Sequence, residues 1–368
     1  MAFPLEMSDP ESVGLRSAQI LKLEDLIQRH IEDERYPGAQ FAVARHGKLA
    51  TFKVFGNART EPSSVRATPE TLFLLFSNTK VLISLGVSLL VEDGSISLTD
   101  PVANYMPEFA ANGKGGITIQ HVMTHQGGFP NANITAAAWT DHALMREEVC
   151  AFKPEWPPGS RLNYHPRAAH YVLAMLIEEV SGRDYRQFIR ERIIEPLGLR
   201  DDLYLGVPEE QQHRCVDVGG EPVENKNTAR FRSAGLPFGG SFGTARAQVA
   251  LYQMLLGGGQ SNGNRILSPR MISYLTTDFT GDRIDLNHDR PMHRGLGPSL
   301  RGLGGHPSIF GSLASPETFG HGGIGTCVCW GDPVSGVSFA YLSNNIQPGD
   351  WSSSRFDRVS NIIHAAID

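Results

Sequence analysis

The sequence is poor in the features that mark several large protein classes. Its 368 residues include only four cysteines, Cys150, Cys215, Cys327 and Cys329. Their spacing matches no zinc pattern, and so few in so long a chain read as the reduced, buried thiols of a cytoplasmic protein. Cys327 and Cys329 stand two apart, so on a strand both point to one face, which suits core packing rather than redox chemistry. No basic block occurs, and the formal net charge is −6. That argues against nucleic acid or an anionic membrane as a partner. No stretch approaches ~18 consecutive apolar residues, so no membrane span is expected. The opening "MAFPLEMSDPES" has no basic segment followed by an apolar one, so no secretory leader is expected there. Lysine is scarce, with seven in the chain, and only one of them stands in an S-x-x-K.

What is present suffices for a large core, since hydrophobic residues make up 40% of the chain. The length fits one large domain or two intertwined lobes. Ser17 is placed to cap a helix in which Ile20, Leu23, Ile27 and Ile31 follow at helical spacing, and Pro37-Gly38 stops it. "AQFAVARHGKLATFKVFG" is two alternating runs around His46-Gly47, a β-hairpin. The apolar "LFLLF" leads to "FSNTK" at 76–80, and "VLISLGVSLLVEDG" then continues as a helix that Asp93-Gly94 ends. Residues 101–235 carry helical periods such as "AAHYVLAMLIEEVSG". "TARAQVALYQMLLGGG" is a further helix, "GTCVCWGDP" and "GVSFAYLSN" are strands, and "SSRFDRVSNIIHAAI" is a closing helix. The expectation is an α/β (α+β) fold. Residues 1–100 and 236–368 would build one antiparallel sheet with flanking helices from both chain ends. Residues 101–235 would form a mostly helical lobe, with the active site between the two.

The chemistry is carried first by Ser77 and Lys80. Ser77 follows an extended apolar run and opens a nearly all-apolar helix. Lys80, three residues on, shares its face. A simple N-cap serine beside a solvated lysine would be the bland reading. A lone lysine in so apolar a helix is instead expected to be desolvated, which lowers its pKa and lets a neutral amine take the serine proton. The helix N-terminus adds backbone N–H groups where an oxyanion would form. Two weaker elements are Tyr164 in "RLNYHP", beside His165 and Pro166, and "FGHGGIGTCVCW". In the latter, His321, Gly322 and Gly323 lead into a strand and allow another backbone or a ligand to come close. "GGSFG" at 239–243 matches the G-x-S-x-G nucleophile elbow, but the charged, Gly/Pro-containing "RFRSAGLPFGG" precedes Ser241 where that motif needs a buried strand. His121 and His125 lie i, i+4, yet Val122 stands where H-E-x-x-H needs glutamate, so no metal site is expected.

In the order S-x-x-K, Tyr, small-residue strand, the chain resembles the serine β-lactamase and penicillin-binding-protein family. It is most similar to the class C β-lactamase branch that also holds family VIII carboxylesterases and D-aminopeptidases. "DPESVGL", "VMTHQGGFP" and "GGSFGTARAQVALY" resemble further family segments. The resemblance implies a β-lactamase/transpeptidase-like fold and an acyl-enzyme on Ser77. It also implies Lys80 and Tyr164 as the proton-transfer pair, and an oxyanion hole from the backbone N–H groups of Ser77 and Ile324. His165, His321, Gly322 and Gly323 would line the substrate, and no cofactor is required. Two departures matter. Pro166 stands for the family's Asn after the tyrosine, and His321 stands for the lysine of the K-T-G motif, which helps hold a substrate carboxylate. Both favour small uncharged esters over penicillins and cephalosporins. The alternatives are a D-amino-acid amidase or aminopeptidase, a weak β-lactamase, and a catalytically silent binding or assembly relative. To act as base, Lys80 or Tyr164 must shift by about three pKa units, roughly 4 kcal/mol, and the two would titrate as a coupled pair.

Overall fold

His46 and Gly47 both take positive φ, 50° and 77°, as a two-residue hairpin turn requires. They join β1 (Gly38–Arg45) to β2 (Lys48–Arg59). This is the computed structural model of the chain, and it describes residues 3–221, 225–304 and 308–368. The later strands β3 (Phe319–Gly323), β4 (Cys327–Asp332) and β5 (Val337–Ser343) complete the main sheet. β5 pairs with β1, so the two ends of the chain meet at the sheet's centre. The order across the sheet is Glu6–Met7, β2, β1, β5, β4, β3 and Ser299–Leu300. All of these pairings are antiparallel except the edge strand Glu6–Met7, which runs parallel to β2 and departs from the all-antiparallel expectation.

Alternation along the strands gives the sheet two apolar faces. Phe41, Val43, Val328, Trp330, Phe339 and Tyr341 pack on one side under α1 (Ser17–Glu32) and the closing helix Gly349–His364. Ala42, Ala44, Cys327, Cys329, Ala340 and Leu342 face the other core, where the helix Ala245–Leu256 covers the sheet. Cys327 and Cys329 therefore share a face, as their spacing implies. All four cysteines are free and buried, and burial pushes the Cys327 thiol up to about 11.

Ser17 is the first residue of α1 rather than its cap. Its N–H is met at 3.1 Å by the Glu11 carboxylate. A hydrogen bond from the Ser17 side chain first, then Asp9 and the backbone N–H groups of Glu11 and Ser17, hold the Glu11 carboxyl down at about 2. The helix α2 (Thr79–Glu92) is buried from Thr79 to Leu90, because nearly every residue on its circumference is apolar. It packs against α3 (Ala168–Ser181). In front of α2, a second sheet of three short strands (Phe73–Leu74, Ser241–Gly243 and Leu203–Leu205) supports the turn that bears Ser77. Among the described residues, no helix is long and apolar enough to cross a membrane.

Candidate active site

Ser77 sits in a 3-10 turn, Phe76–Asn78, that runs directly into α2. One turn of helix therefore separates it from Lys80, and the two side chains meet. Lys80 Nζ lies 2.9 Å from Ser77 Oγ, and Tyr164 Oη donates to the same oxygen at 3.0 Å. Lys80 Nζ also donates to the Phe238 carbonyl at 2.7 Å. The lysine has 0% exposure, and its amine stands 5.3 Å over the Tyr164 ring. Burial, with the charges of Arg294 and Arg167 behind it, holds the Lys80 amine well below the usual lysine range. Burial acts the other way on the phenol and pushes Tyr164 up to about 12, against the Ser77 hydrogen bond and the Arg294 charge. The environment thus drives the two groups apart, toward a neutral amine and a protonated phenol on either side of one hydroxyl.

The turn is held from below. Thr79 Oγ1 and Ser241 Oγ are 2.6 Å apart, and the Ser241 carbonyl accepts from Leu75 N at 2.9 Å. Ser241 is fully buried, lies in a strand of the small sheet and does not line the cavity. The G-x-S-x-G match is therefore structural. β3 closes the turn from the side. A Cβ on Gly323 would lie 2.8 Å from Phe76 Cβ and 2.9 Å from the Leu75 carbonyl, so only glycine lets the strand come this near. His321, Gly322 and Gly323 end β3 rather than lead into it. Phe76, just before the Ser77 N–H, and Ile324, whose own N–H is the second proposed oxyanion position, take φ of 45° and 24°. Left-handed backbone at a bulky and at a β-branched residue is strained, and such strain gathers at functional sites.

These residues floor a cavity of about 470 Å³. Ser77, Tyr164, His321, Gly322, Gly323 and Ile324 all line it, and its walls include Met292, Leu300, Ile309, Phe310 and Phe356. His321 donates from Nδ1 to the Gly322 carbonyl at 2.7 Å, which leaves Nε2 as a lone-pair acceptor. Burial pushes this imidazole down to about 3, so it stands neutral. His165 is a correction to the expectation. It is buried outside the cavity lining, donates from Nδ1 to the Asn163 carbonyl at 2.7 Å and accepts from Phe129 N at 3.1 Å. It fastens two loops together and has no ring nitrogen left for a substrate. Pro166 is exposed and likewise outside the lining.

Sequence reasoning missed three supports of this site. The Phe238 carbonyl that receives Lys80 is main chain, which leaves no mark in residue type. Asp285 and Arg294 form a buried ion pair at 2.6 Å. In the sequence they look like ordinary loop charges, since their partner positions are far from Tyr164 along the chain. His121 and His125 do not converge on a cation. His125 accepts from His165 N at 3.1 Å, and His121 caps its own short helix. Among the described residues, one group carries donors for a cation, His142, Glu178 and Asp184. There Arg186 already supplies the positive charge to Asp184, with Nε 3.0 Å from Oδ1.

The family model described as Beta-lactamase matches residues 23–358. The chain belongs to the beta-lactamase family of serine hydrolases. It is 30% identical over 307 residues to "Esterase/beta-lactamase LipL" of Mycobacterium tuberculosis, covering 74% of this chain and 69% of that protein. It is 26% identical to a "Putative D-alanyl-D-alanine carboxypeptidase" of Escherichia coli K12, over 92% of this chain and 85% of the relative. Among solved structures, a penicillin-binding protein homologue from Caulobacter crescentus superposes with a TM-score of 0.83 at 28% identity, covering 96% and 99% of the two chains. A family VIII carboxylesterase superposes with a TM-score of 0.82 at 24% identity, over 95% and 98%, which attests the shared fold.

Proposed function

We propose that this member of the beta-lactamase family hydrolyses small uncharged carboxylic esters through an acyl-enzyme on Ser77. The observation that carries the reading is the contact of one serine oxygen with both a buried amine and a half-buried phenol, at 2.9 and 3.0 Å. Neutral Lys80 takes the Ser77 proton as Oγ bonds to the ester carbonyl carbon. The carbonyl oxygen becomes an oxyanion, received by the N–H groups of Ser77 and Ile324. When the intermediate collapses, the C–O bond to the alcohol breaks and Tyr164 protonates the departing oxygen. Lys80 returns its proton to Tyr164. In the second half the same groups act in reverse on a water molecule, which releases the acid and restores Ser77.

The preference for an uncharged ester rests on His321. A neutral imidazole with its one N–H committed to Gly322 has no cation to offer a substrate carboxylate. Two of the cavity's arginines are engaged elsewhere, Arg294 with Asp285 and Arg301 with the Gly304 carbonyl at 2.7 Å. The mostly apolar walls suit a short acyl or alcohol chain. A second reading, a peptidase acting on D-alanyl-D-alanine, is favoured by the name of the Escherichia coli relative. The test is a side-by-side panel of p-nitrophenyl esters of increasing acyl length, D-amino-acid amides, D-alanyl-D-alanine peptides and one cephalosporin. The ester reading expects the highest kcat/KM on a short ester. A higher value on a peptide or on the cephalosporin would replace it.

A further inference from the structure

We infer that the buried Asp285–Arg294 ion pair is a positioning and electrostatic device for the reaction: Asp285 grips the tyrosine loop, and Arg294 lays a fixed cation on the Tyr164 ring. The inference rests on the Ser77–Lys80–Tyr164 reading and adds two residues to it. Asp285 is fully buried and Arg294 is 4% exposed. Asp285 Oδ1 accepts from Tyr164 N at 3.1 Å, while its Oδ2 accepts from Arg294 Nη2 at 2.6 Å. Next along the chain, Leu286 N donates to the Leu162 carbonyl at 3.0 Å, so the tyrosine's loop is pinned on both sides of Asn163. The guanidinium carbon then stands 4.8 Å from the centroid of the Tyr164 ring. Arg294 is itself anchored, with Thr280 Oγ1 accepting from its backbone N at 2.9 Å.

A pair built only for stability is a poor explanation. Taking two ions out of water costs several kcal/mol each, and apolar side chains of similar volume often do as well. Among the described residues Arg294 Nε has no hydrogen-bond partner, which adds to that cost. The return lies in where the positive end points. The groups that face Lys80 are Ser77 and Tyr164, the cations Arg294 and Arg167, and the imidazoles of His125, His170 and His321. All three imidazoles are kept neutral by burial first. Arg294 is the buried, anchored cation in this set, whereas Arg167 is exposed, and a fixed cation opposes protonation of the lysine. The same charge favours the phenolate that Tyr164 passes through when it gives its proton to the leaving alcohol. Asp285 holds the cation in place and moderates it.

The test is the pH dependence of kcat/KM on p-nitrophenyl butyrate, with KM and thermal melting measured on each variant. Activity requires neutral Lys80, so kcat/KM rises with pH along an acid limb set by that lysine. In Asp285→Asn/Arg294→Gln both charges go and the shapes stay. The limb should move to higher pH by about one unit, a tenfold loss at a fixed pH on the limb, with KM changed by less than about threefold. Asp285→Asn alone leaves the cation without its counter-charge and should move the limb the other way. Arg294→Lys keeps the charge and should leave it near its wild-type position. If the double variant does not fold, Asp285→Asn carries the test, with Arg294→Lys as its charge-retaining control. Limbs of Asp285→Asn and of Asp285→Asn/Arg294→Gln that coincide with wild type would overturn the inference, however much activity these variants lose. A wild-type protein with no hydrolysis of any ester would instead remove the Ser77 reading, so the two failures are distinct.

Discussion

Replacing Tyr164 by phenylalanine deletes one oxygen and keeps the ring. The ring's contacts explain why this variant should fold. It packs 4.7 Å from the His125 ring and beneath the Arg294 guanidinium, and its backbone N–H is held by Asp285. None of these needs the hydroxyl. What disappears is the donor 3.0 Å from Ser77 Oγ. Because burial pushes this phenol up to about 12, it is a proton donor throughout the neutral range, and under the proposed mechanism its loss removes the acid for the leaving alcohol. General acid–base groups contribute about 10²–10⁴ in rate, roughly 3–5 kcal/mol of barrier. Tyr164→Phe should therefore lower kcat on p-nitrophenyl butyrate by two to four decades, approximately, with KM changed by less than about threefold. An ester with a poorer leaving group, such as ethyl butyrate, should suffer more than the nitrophenyl ester, since its alkoxide needs the proton more. Lys80→Ala should cost a similar factor. The double variant should lose little beyond the worse single one, because both disable one relay. A fall of less than about tenfold in Tyr164→Phe, or a double variant that loses the product of the two single losses, would refute the relay.

Three further outcomes are expected. Ser241→Ala should keep most of the esterase activity and lose about 1–2 kcal/mol of stability, because it removes the Thr79 partner beneath the turn. Abolished turnover in a folded Ser241→Ala protein would contradict the site. His321→Lys should raise the kcat/KM ratio of one cephalosporin over one ester by about one decade or less, since it restores a cation in the cavity lining; an unchanged ratio removes His321 from substrate choice. Stability should fall as pH drops below about 6.5. The buried rings of His30, His165 and His321 are depressed to about 4, 4 and 3, chiefly by burial. The unfolded chain therefore takes up protons that the folded one refuses, at about 1.4 kcal/mol per pH unit for each fully depressed ring. A urea midpoint that stays constant from pH 7 to pH 5 would contradict this.

Local punctuation carried much of the fold into the sequence. His46-Gly47 predicts a hairpin because two consecutive positive-φ residues are what its turn needs, and both are positive. Ser77 and Lys80 were legible because three-residue spacing on an apolar helix places both on one face and leaves the lysine little water. Tyr164 was legible only through the family resemblance; nothing in "RLNYHP" points a phenol at a serine 87 residues away. His165 misled for the same reason: a ring next to the site in sequence turned away from it in space. The Phe238 carbonyl, the Thr79–Ser241 bond and the Asp285–Arg294 pair were out of reach. Each depends on a tertiary approach that no local period encodes.

The central claim is that Ser77 is the nucleophile. The most direct measurement is labelling of the protein with a fluorophosphonate, followed by mass spectrometry of the modified peptide, in wild type and in Ser77→Ala. The account predicts a single adduct on Ser77 in wild type, with loss of ester hydrolysis in step with labelling. It predicts no adduct and no hydrolysis in Ser77→Ala at an unchanged melting temperature. An adduct on Ser241 or elsewhere, or a Ser77→Ala protein that still turns over ester, would contradict it.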